Sequence, residues 1–78
     1  MSLDRLKAAF RDALQIPEEH IDDGLQYNTI RQWDSVGHMS LIAALEETFD
    51  VLLDTNDIID LSSVAKAKQI LAKYDVNF

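Results

Sequence analysis

The fold of this chain is decided by residues 34–50, whose sequence is DSVGHMSLIAALEETFD. Four apolar positions of this stretch lie on one side of a helix with 3.6 residues per turn, namely Leu41, Ile42, Leu45 and Phe49. Asp34 stands where its carboxylate can accept hydrogen bonds from the free amides of a first helical turn. The stretch therefore predicts an amphipathic helix that begins near Asp34 and ends at about Asp50.

A second face of this helix is predicted to look outward. At 100° per residue, four positions fall together opposite the apolar side, and they are Val36, Ser40, Ala43 and Glu47. Their mixed composition is typical of an exposed surface, so this is the candidate recognition face. Gly37, in the first turn, lowers the helix propensity by up to about 1 kcal/mol relative to alanine.

The residues before position 34 predict one helix and a long loop. Ser2 can cap a helix whose apolar stripe consists of Leu3, Leu6, Phe10, Ala13 and Leu14. Pro17 ends or redirects this helix. Residues 15–33 show no sustained period and are expected to form a loop anchored on the core by Ile16, Ile21, Leu25, Tyr27, Ile30 and Trp33.

The residues after position 50 predict a short helix at 56–60 and a final helix capped by Ser62 or Ser63. The final helix has Val64, Ala67, Ile70, Leu71 and Tyr74 in phase. Residues 51–53 favour a strand but have no partner strand. We therefore expect an all-α protein, a small four-helix bundle with three long helices, one short helix and a long first loop. A chain of 78 residues is enough for one core, so residues 1–78 are expected to be one domain.

The composition argues against disulfides, metal sites and membrane-spanning segments. The chain has no cysteine and two histidines, which leaves no disulfides and too few ligands for a structural zinc site, so no metal is expected. The first residues show no signal segment, and the longest apolar run, 41–45, is far short of the roughly 20 residues that span a bilayer. We expect a cytoplasmic protein, monomeric, with no membrane interaction.

The charge is strongly acidic and unevenly distributed. Fourteen acidic and seven basic residues give a net charge of -7, and no Lys or Arg occurs from Gln32 to Ala65. The acids of that region are Asp34, Glu46, Glu47, Asp50, Asp54, Asp57 and Asp60. Their field repels nucleic-acid phosphates and attracts basic protein surfaces, so a basic protein partner is expected and nucleic acid is not. An ordinary solubilising surface remains the alternative explanation.

The motif Trp33-Asp34-Ser35-Val36-Gly37-His38-Met39 resembles that of acyl carrier proteins and the related peptidyl carrier domains. The resemblance continues through residues 41–49, where an apolar stripe runs beside paired glutamates, and through residues 62–64, and it covers essentially the whole chain. It implies a covalent 4'-phosphopantetheine arm on Ser35, taken from coenzyme A by a magnesium-dependent phosphopantetheinyl transferase. Asp34 then lies where the family aspartate helps to position that metal. The arm supplies the thiol, so the carrier itself has no catalytic residues and needs no cysteine.

The resemblance also implies partner enzymes with basic surfaces that load and process acyl groups. The expected recognition residues are Asp34, Val36, Met39, Ser40, Ala43, Glu46, Glu47, Asp54 and Asp57. Val36 stands where many relatives have leucine, and the Gly37-His38 pair differs from typical fatty-acid-synthesis carriers. Trp33 and His38 look like the corresponding residues of stand-alone carriers, which favours a stand-alone carrier in a specialised lipid or polyketide-type pathway. An aminoacyl or peptidyl carrier remains open.

The same residues bear on three other functions. Ser35 with His20 or His38 would suggest a hydrolase, but the chain has no glycine-x-serine-x-glycine motif, and His38 is expected to be partly buried and hydrogen-bonded. Residues 54–57 lack the glycine and the terminal glutamate of a calcium-binding EF-hand loop. An unmodified acidic adaptor, which binds a basic partner without using Ser35, stays open.

Overall fold

The computed structural model describes residues 2–78, which form four α-helices and one short 3-10 turn. Their bounds are α1 (Ser2–Leu14), the 3-10 turn (Glu18–His20), α2 (Ser35–Phe49), α3 (Thr55–Asp60) and α4 (Val64–Ala72). Within the described residues there is no strand, and the only β-pairing is an isolated bridge between Gln26 and Ser63. The all-α bundle with one short helix and a long first loop is confirmed.

The core contains the apolar stripes that the periodicity predicted, except that Leu3, predicted in the stripe of α1, is 37% exposed. Leu6 and Phe10 of α1 and Leu41 and Leu45 of α2 are inaccessible to solvent, and α4 contributes Val64, Ala67, Ile70 and Leu71. Trp33 is also fully buried and packs edge to face on Phe10, with ring centroids 5.4 Å apart. Residue 33, just ahead of α2, is therefore fixed by the core itself.

The loop between α1 and α2 follows the surface but is anchored at several points. Ile16, Ile21 and Leu25 are buried, whereas Tyr27, expected to be another anchor, is 39% exposed. Two backbone hydrogen bonds tie the loop to the start of α4, from the Tyr27 amide to the Ser62 carbonyl (2.8 Å) and from the Val64 amide to the Leu25 carbonyl (3.0 Å). The loop is thus anchored by buried side chains, as its apolar spacing suggested, and by backbone hydrogen bonds to the start of α4.

Helix ends follow local chemistry. Asp34, Asp54 and Ser63 cap α2, α3 and α4, and each side chain accepts from the amide three residues on, at 2.8–2.9 Å. The caps predicted at Asp34 and Ser63 are confirmed. The expectation that Ser2 caps α1 is wrong, because Ser2 already lies in the helix. That helix ends at Leu14, ahead of Pro17, where Gln15 adopts the left-handed conformation with φ 55°.

Gly37 permits a close approach between α2 and the segment before it. A Cβ atom at this position would overlap the backbone carbonyl oxygen of Gln32 and lie 3.2 Å from Cδ2 of Leu14. The nearer of these atoms belongs to the backbone, which cannot rotate away as a flexible side chain could. The glycine that weakens the helix on propensity grounds is required by packing.

No helix in residues 2–78 combines the length and the apolar character that a membrane crossing requires.

Candidate functional site: the start of α2

Ser35 is exposed at the first position of α2, immediately after the capping residue Asp34. Oδ1 of Asp34 accepts from the Gly37 amide at 2.9 Å, and the Asp34 carbonyl accepts from the His38 amide at 2.7 Å. The turn that carries Ser35 is therefore rigidly defined. A phosphodiester on the Ser35 hydroxyl would lie at the positive end of the helix dipole, which favours an anion by about 0.3–1 kcal/mol.

The structure brings most of the predicted recognition residues to one surface of α2. Val36 is 76% exposed and Met39 59% exposed, and the other exposed members are Asp34, Ser40, Ala43 and Glu47. Beyond α2, Leu52 and Ile59 are large apolar residues that sequence reasoning did not single out, although they are 84% and 72% exposed. The sequence indicated their exposure only indirectly, because neither residue belongs to a predicted core stripe.

The structure contradicts the prediction that Asp57 is a recognition residue. Its side chain is only 4% exposed, so it is not part of a surface that a partner can reach. The ammonium group of Lys73 donates to Oδ1 at 2.5 Å and the hydroxyl of Tyr74 donates to Oδ2 at 2.7 Å. These bonds, the one from Lys73 above all, lower the pKa of Asp57. The hydrogen bond that each partner donates to Asp57 raises the pKa of Lys73 and the pKa of Tyr74. Asp57 therefore joins α3 to the end of α4.

Two other acids of this region also have structural partners. The carboxylate of Glu46, which is half-buried, accepts from the Leu53 amide at 3.0 Å and fixes the segment after α2. Asp54 caps α3 through the Asp57 amide at 2.8 Å but is itself exposed. Charge alone did not distinguish these roles, because it does not show which acids accept hydrogen bonds from backbone amides.

A cavity of about 260 Å³, called the site cavity below, lies where the loop, the start of α2 and α3 meet. The residues that line it are Tyr27, His38, Ile58, Ile59, Leu61 and Ser62. Its walls are mainly apolar. His38 follows Ser35 by three positions, and residues with this spacing are neighbours on a helix surface.

His38 is half-buried and hydrogen-bonded, as predicted. The indole Nε1 of Trp33 donates to its Nδ1 at 3.0 Å, and its Nε2 lies 2.8 Å from the carbonyl oxygen of Ile58. Within residues 2–78 the structure shows no hydrogen bond from Ser35 to His38 or to His20, which is exposed on the 3-10 turn.

The acidic residues and the histidines are spread over the fold. In the part of the chain that the structure describes, no three His, Cys, Asp or Glu side chains are grouped so as to hold an ion. At residues 54–57, Asp54 caps α3 and Asp57 faces Lys73 and Tyr74.

These features define a class of protein, a small helical carrier domain with an exposed serine at the head of its central helix. A family model described as "Phosphopantetheine attachment site" matches residues 4–71, and the chain belongs to this family of phosphopantetheine-carrying domains. No curated protein and no solved structure matched the chain.

Members of this family are non-catalytic carriers with a covalently attached 4'-phosphopantetheine group. The start of α2 suits such a group, because it offers an exposed hydroxyl next to the positive end of a helix dipole. The arm brings its own thiol, which accords with a chain that has no cysteine.

Proposed function

We propose that Ser35 bears the 4'-phosphopantetheine arm and that the chain carries acyl or related intermediates as thioesters for partner enzymes. The observation that supports this most directly is the exposed Ser35 at the first position of α2, within the motif that resembles acyl carrier proteins. In the attachment step, Ser35 Oγ forms a bond to the phosphorus of coenzyme A that carries the pantetheine. The adenosine bisphosphate leaves, and the hydroxyl proton passes to the transferase.

Asp34 has a second role in this proposal, as the carboxylate that helps the transferase to position magnesium. One of its oxygens accepts the cap hydrogen bond from Gly37, and its side chain is exposed beside Ser35. A carboxylate next to the reacting hydroxyl is a ligand of the kind that Mg²⁺ prefers.

Partner enzymes are proposed to recognise the exposed face of α2 and the acids that continue it. The proposed contact residues are Asp34, Val36, Met39, Ser40, Ala43, Glu46, Glu47 and Asp54. The partners are the phosphopantetheinyl transferase and acyl-loading and acyl-processing enzymes with basic surfaces. Support comes from the absence of Lys and Arg between Gln32 and Ala65, which leaves this region uniformly acidic.

Within the family, we favour a stand-alone, monomeric acyl carrier of a specialised lipid or polyketide-type pathway in the cytoplasm. Support comes from Trp33 and His38, which look like the corresponding residues of carriers in specialised pathways, and from a sequence without cysteine. A carrier of aminoacyl or peptidyl groups is the second candidate, because the same motif resembles those domains.

The test is incubation of the purified protein with coenzyme A, magnesium and a broad-specificity phosphopantetheinyl transferase, followed by intact-mass measurement. We expect one added arm, complete loss of modification in Ser35→Ala, and normal modification in Thr55→Ala, the matched control, because Thr55 is also an exposed hydroxyl that follows a capping aspartate. Peptide mapping of the product identifies the modified residue. A wild-type protein that gains no mass would contradict the proposal and favour an unmodified acidic adaptor.

Asp34→Asn separates the cap from the charge. An asparagine side chain retains the cap, which is worth about 1 kcal/mol, but removes the carboxylate. We expect attachment to slow by at least about tenfold, or roughly 1.4 kcal/mol in the barrier, with an almost unchanged melting temperature. Equal attachment rates for the two proteins would show that Asp34 is only a cap.

A further inference from the structure

The hydrogen bonds of His38 fix the position of its ring proton. The indole nitrogen of Trp33 can only donate, so the Nδ1 atom that it contacts at 3.0 Å carries no hydrogen. The proton of the ring therefore lies on Nε2, which donates to the carbonyl oxygen of Ile58 at 2.8 Å. His38 is neutral in this arrangement, and both of its nitrogens are engaged.

These two bonds join separate parts of the fold. Trp33 is fully buried at the end of the first loop and packed on Phe10, so it is a fixed point of the core. Ile58 belongs to α3, a helix of six residues, which is too short to be stable in isolation. His38 therefore connects α3 to the core at the end of α3 that borders the site cavity.

The site cavity is shaped by the same contact. His38, Ile58 and Ile59 all line it, and the edge of the Tyr27 ring meets the imidazole at a centroid distance of 5.3 Å. A shift of α3 relative to His38 would move two of the cavity's lining residues at once. Since Ser35 lies one helical turn before His38, that change would occur beside the proposed point of attachment.

We propose that neutral His38 is the positioning residue that seats α3 beside Ser35, and that protonation of its ring breaks the link between α3 and Trp33. This inference deepens the proposed function, and it rests on that function only for the importance of the site cavity to an arm on Ser35. The hydrogen-bonded bridge itself is a property of the unmodified protein.

Protonation breaks the bridge because a charged imidazole has hydrogens on both nitrogens. Nδ1 would then face the indole N–H of Trp33, donor against donor, and that hydrogen bond would be lost.

Within the described residues, no carboxylate is hydrogen-bonded to the ring. The loop presents the rings of Tyr27 and Trp33, and α3 presents the Ile58 carbonyl. The neighbouring carboxylates are engaged elsewhere, Asp34 with the Gly37 amide, and Asp57 with Lys73 and Tyr74. Within residues 2–78 the structure shows no ion pair to His38.

The first experiment is NMR on the unmodified, isotope-labelled protein at about pH 8 and about pH 5. Trp33 is the only tryptophan, so the spectrum contains one indole N–H signal, and it reports directly on this bond. We expect the ring nitrogen shifts of His38 to show the Nε2–H form at about pH 8. On acidification, the indole signal should move upfield in step with any change of those shifts to the charged form. An Nδ1–H form at the higher pH, or a charged ring with an unchanged indole signal, would overturn the inference.

The second experiment uses two variants, each of which removes one of the two hydrogen bonds of His38. His38→Asn places an acceptor near the position of Nδ1 but is too short to reach Ile58, so at pH 8 it should shift the Ile58 carbonyl signal and increase amide exchange in α3. His38→Gln can still donate to Ile58 but lacks the acceptor, so it should shift the indole signal instead. Neither variant should retain the pH response of the indole signal.

The matched control is His20→Gln, because His20 is the only other histidine and is exposed. This variant should keep the wild-type pH response in full. An unshifted Ile58 carbonyl in His38→Asn would show that His38 does not hold α3. Failure of Ser35 to accept an arm would remove the proposed function and leave the NMR result standing, so the two failures are distinguishable.

Discussion

Gly37 shows how a single residue is selected by contact rather than by helix propensity. Replacement of this glycine by alanine gains up to about 1 kcal/mol in propensity. It also places a methyl group against the Gln32 carbonyl and the Leu14 side chain, and overpacking of this kind costs about 1–3 kcal/mol. The contact is with a backbone oxygen, which cannot turn aside as a flexible side chain would.

We therefore expect Gly37→Ala to destabilise the protein by about 1–2 kcal/mol net. The measurement is the free energy of unfolding from urea titration. Gly24→Ala is the control, because a Cβ there would meet only the exposed Asp22 carboxylate, at 3.3 Å. A Gly37→Ala protein as stable as wild type would mean that the loop before α2 yields easily.

At the scale of an element, α3 depends on side chains from elsewhere in the chain. Its six residues are bonded to Lys73 and Tyr74 through Asp57 and to His38 through the Ile58 carbonyl. The hydroxyl of Tyr74 also accepts from the Asp54 amide at 3.3 Å. The placement of α3, and with it the wall of the site cavity, follows from these contacts.

The bonds to Asp57 make part of this stability dependent on pH. Because hydrogen bonds from Lys73 and Tyr74 lower the pKa of Asp57, its charged form stabilises the fold above the ordinary carboxyl value of 3.8. That contribution is lost as the pH falls through the lowered pKa of the folded state. Asp57→Asn should therefore melt at a lower temperature than wild type at about pH 6, and the gap should narrow by about pH 3.

Thermal unfolding followed by circular dichroism at both pH values measures this difference. Asp60→Asn is the control, because Asp60 belongs to the same helix but is exposed and should behave like wild type. A gap between Asp57→Asn and wild type that stays constant with pH would show that the lost contacts, and not the charge, are responsible.

At the scale of the whole molecule, charge is separated along the chain. The seven Lys and Arg residues lie outside the span from Gln32 to Ala65, while α2, α3 and the segment between them carry acids. A basic partner would be attracted over a distance set by screening, about 8 Å at physiological ionic strength. Such attraction increases the rate of encounter and weakens as salt is added.

Glu47→Lys tests this attraction. Glu47 is exposed on α2, and the substitution should reduce the rate of arm attachment by the transferase severalfold at low salt, with a smaller deficit at high salt. The control is Glu19→Lys, which makes the same charge change at an exposed position on the 3-10 turn and should have little effect. A deficit that is independent of salt would instead indicate damaged packing.

Local patterns in the sequence determined most of the elements of this protein. The helical stripes, the caps at Asp34 and Ser63, the exposed Ser35 and the half-buried His38 all depend on spacing within one helix or on a side chain three residues from its partner. Such relations are visible in sequence because the geometry of a helix is fixed in advance.

Tertiary structure alone decided the roles of Asp57, Gly37 and Tyr27. Asp57 looked like one more surface acid until α4 brought Lys73 and Tyr74 to it, across 16 and 17 residues. Gly37 looked like a weak helix former until Gln32 and Leu14 came within contact distance, and Tyr27 looked like a core anchor but lies at the rim of the site cavity. In each case the deciding neighbours belong to other elements, and no local rule specifies which side chains meet once separate helices pack together.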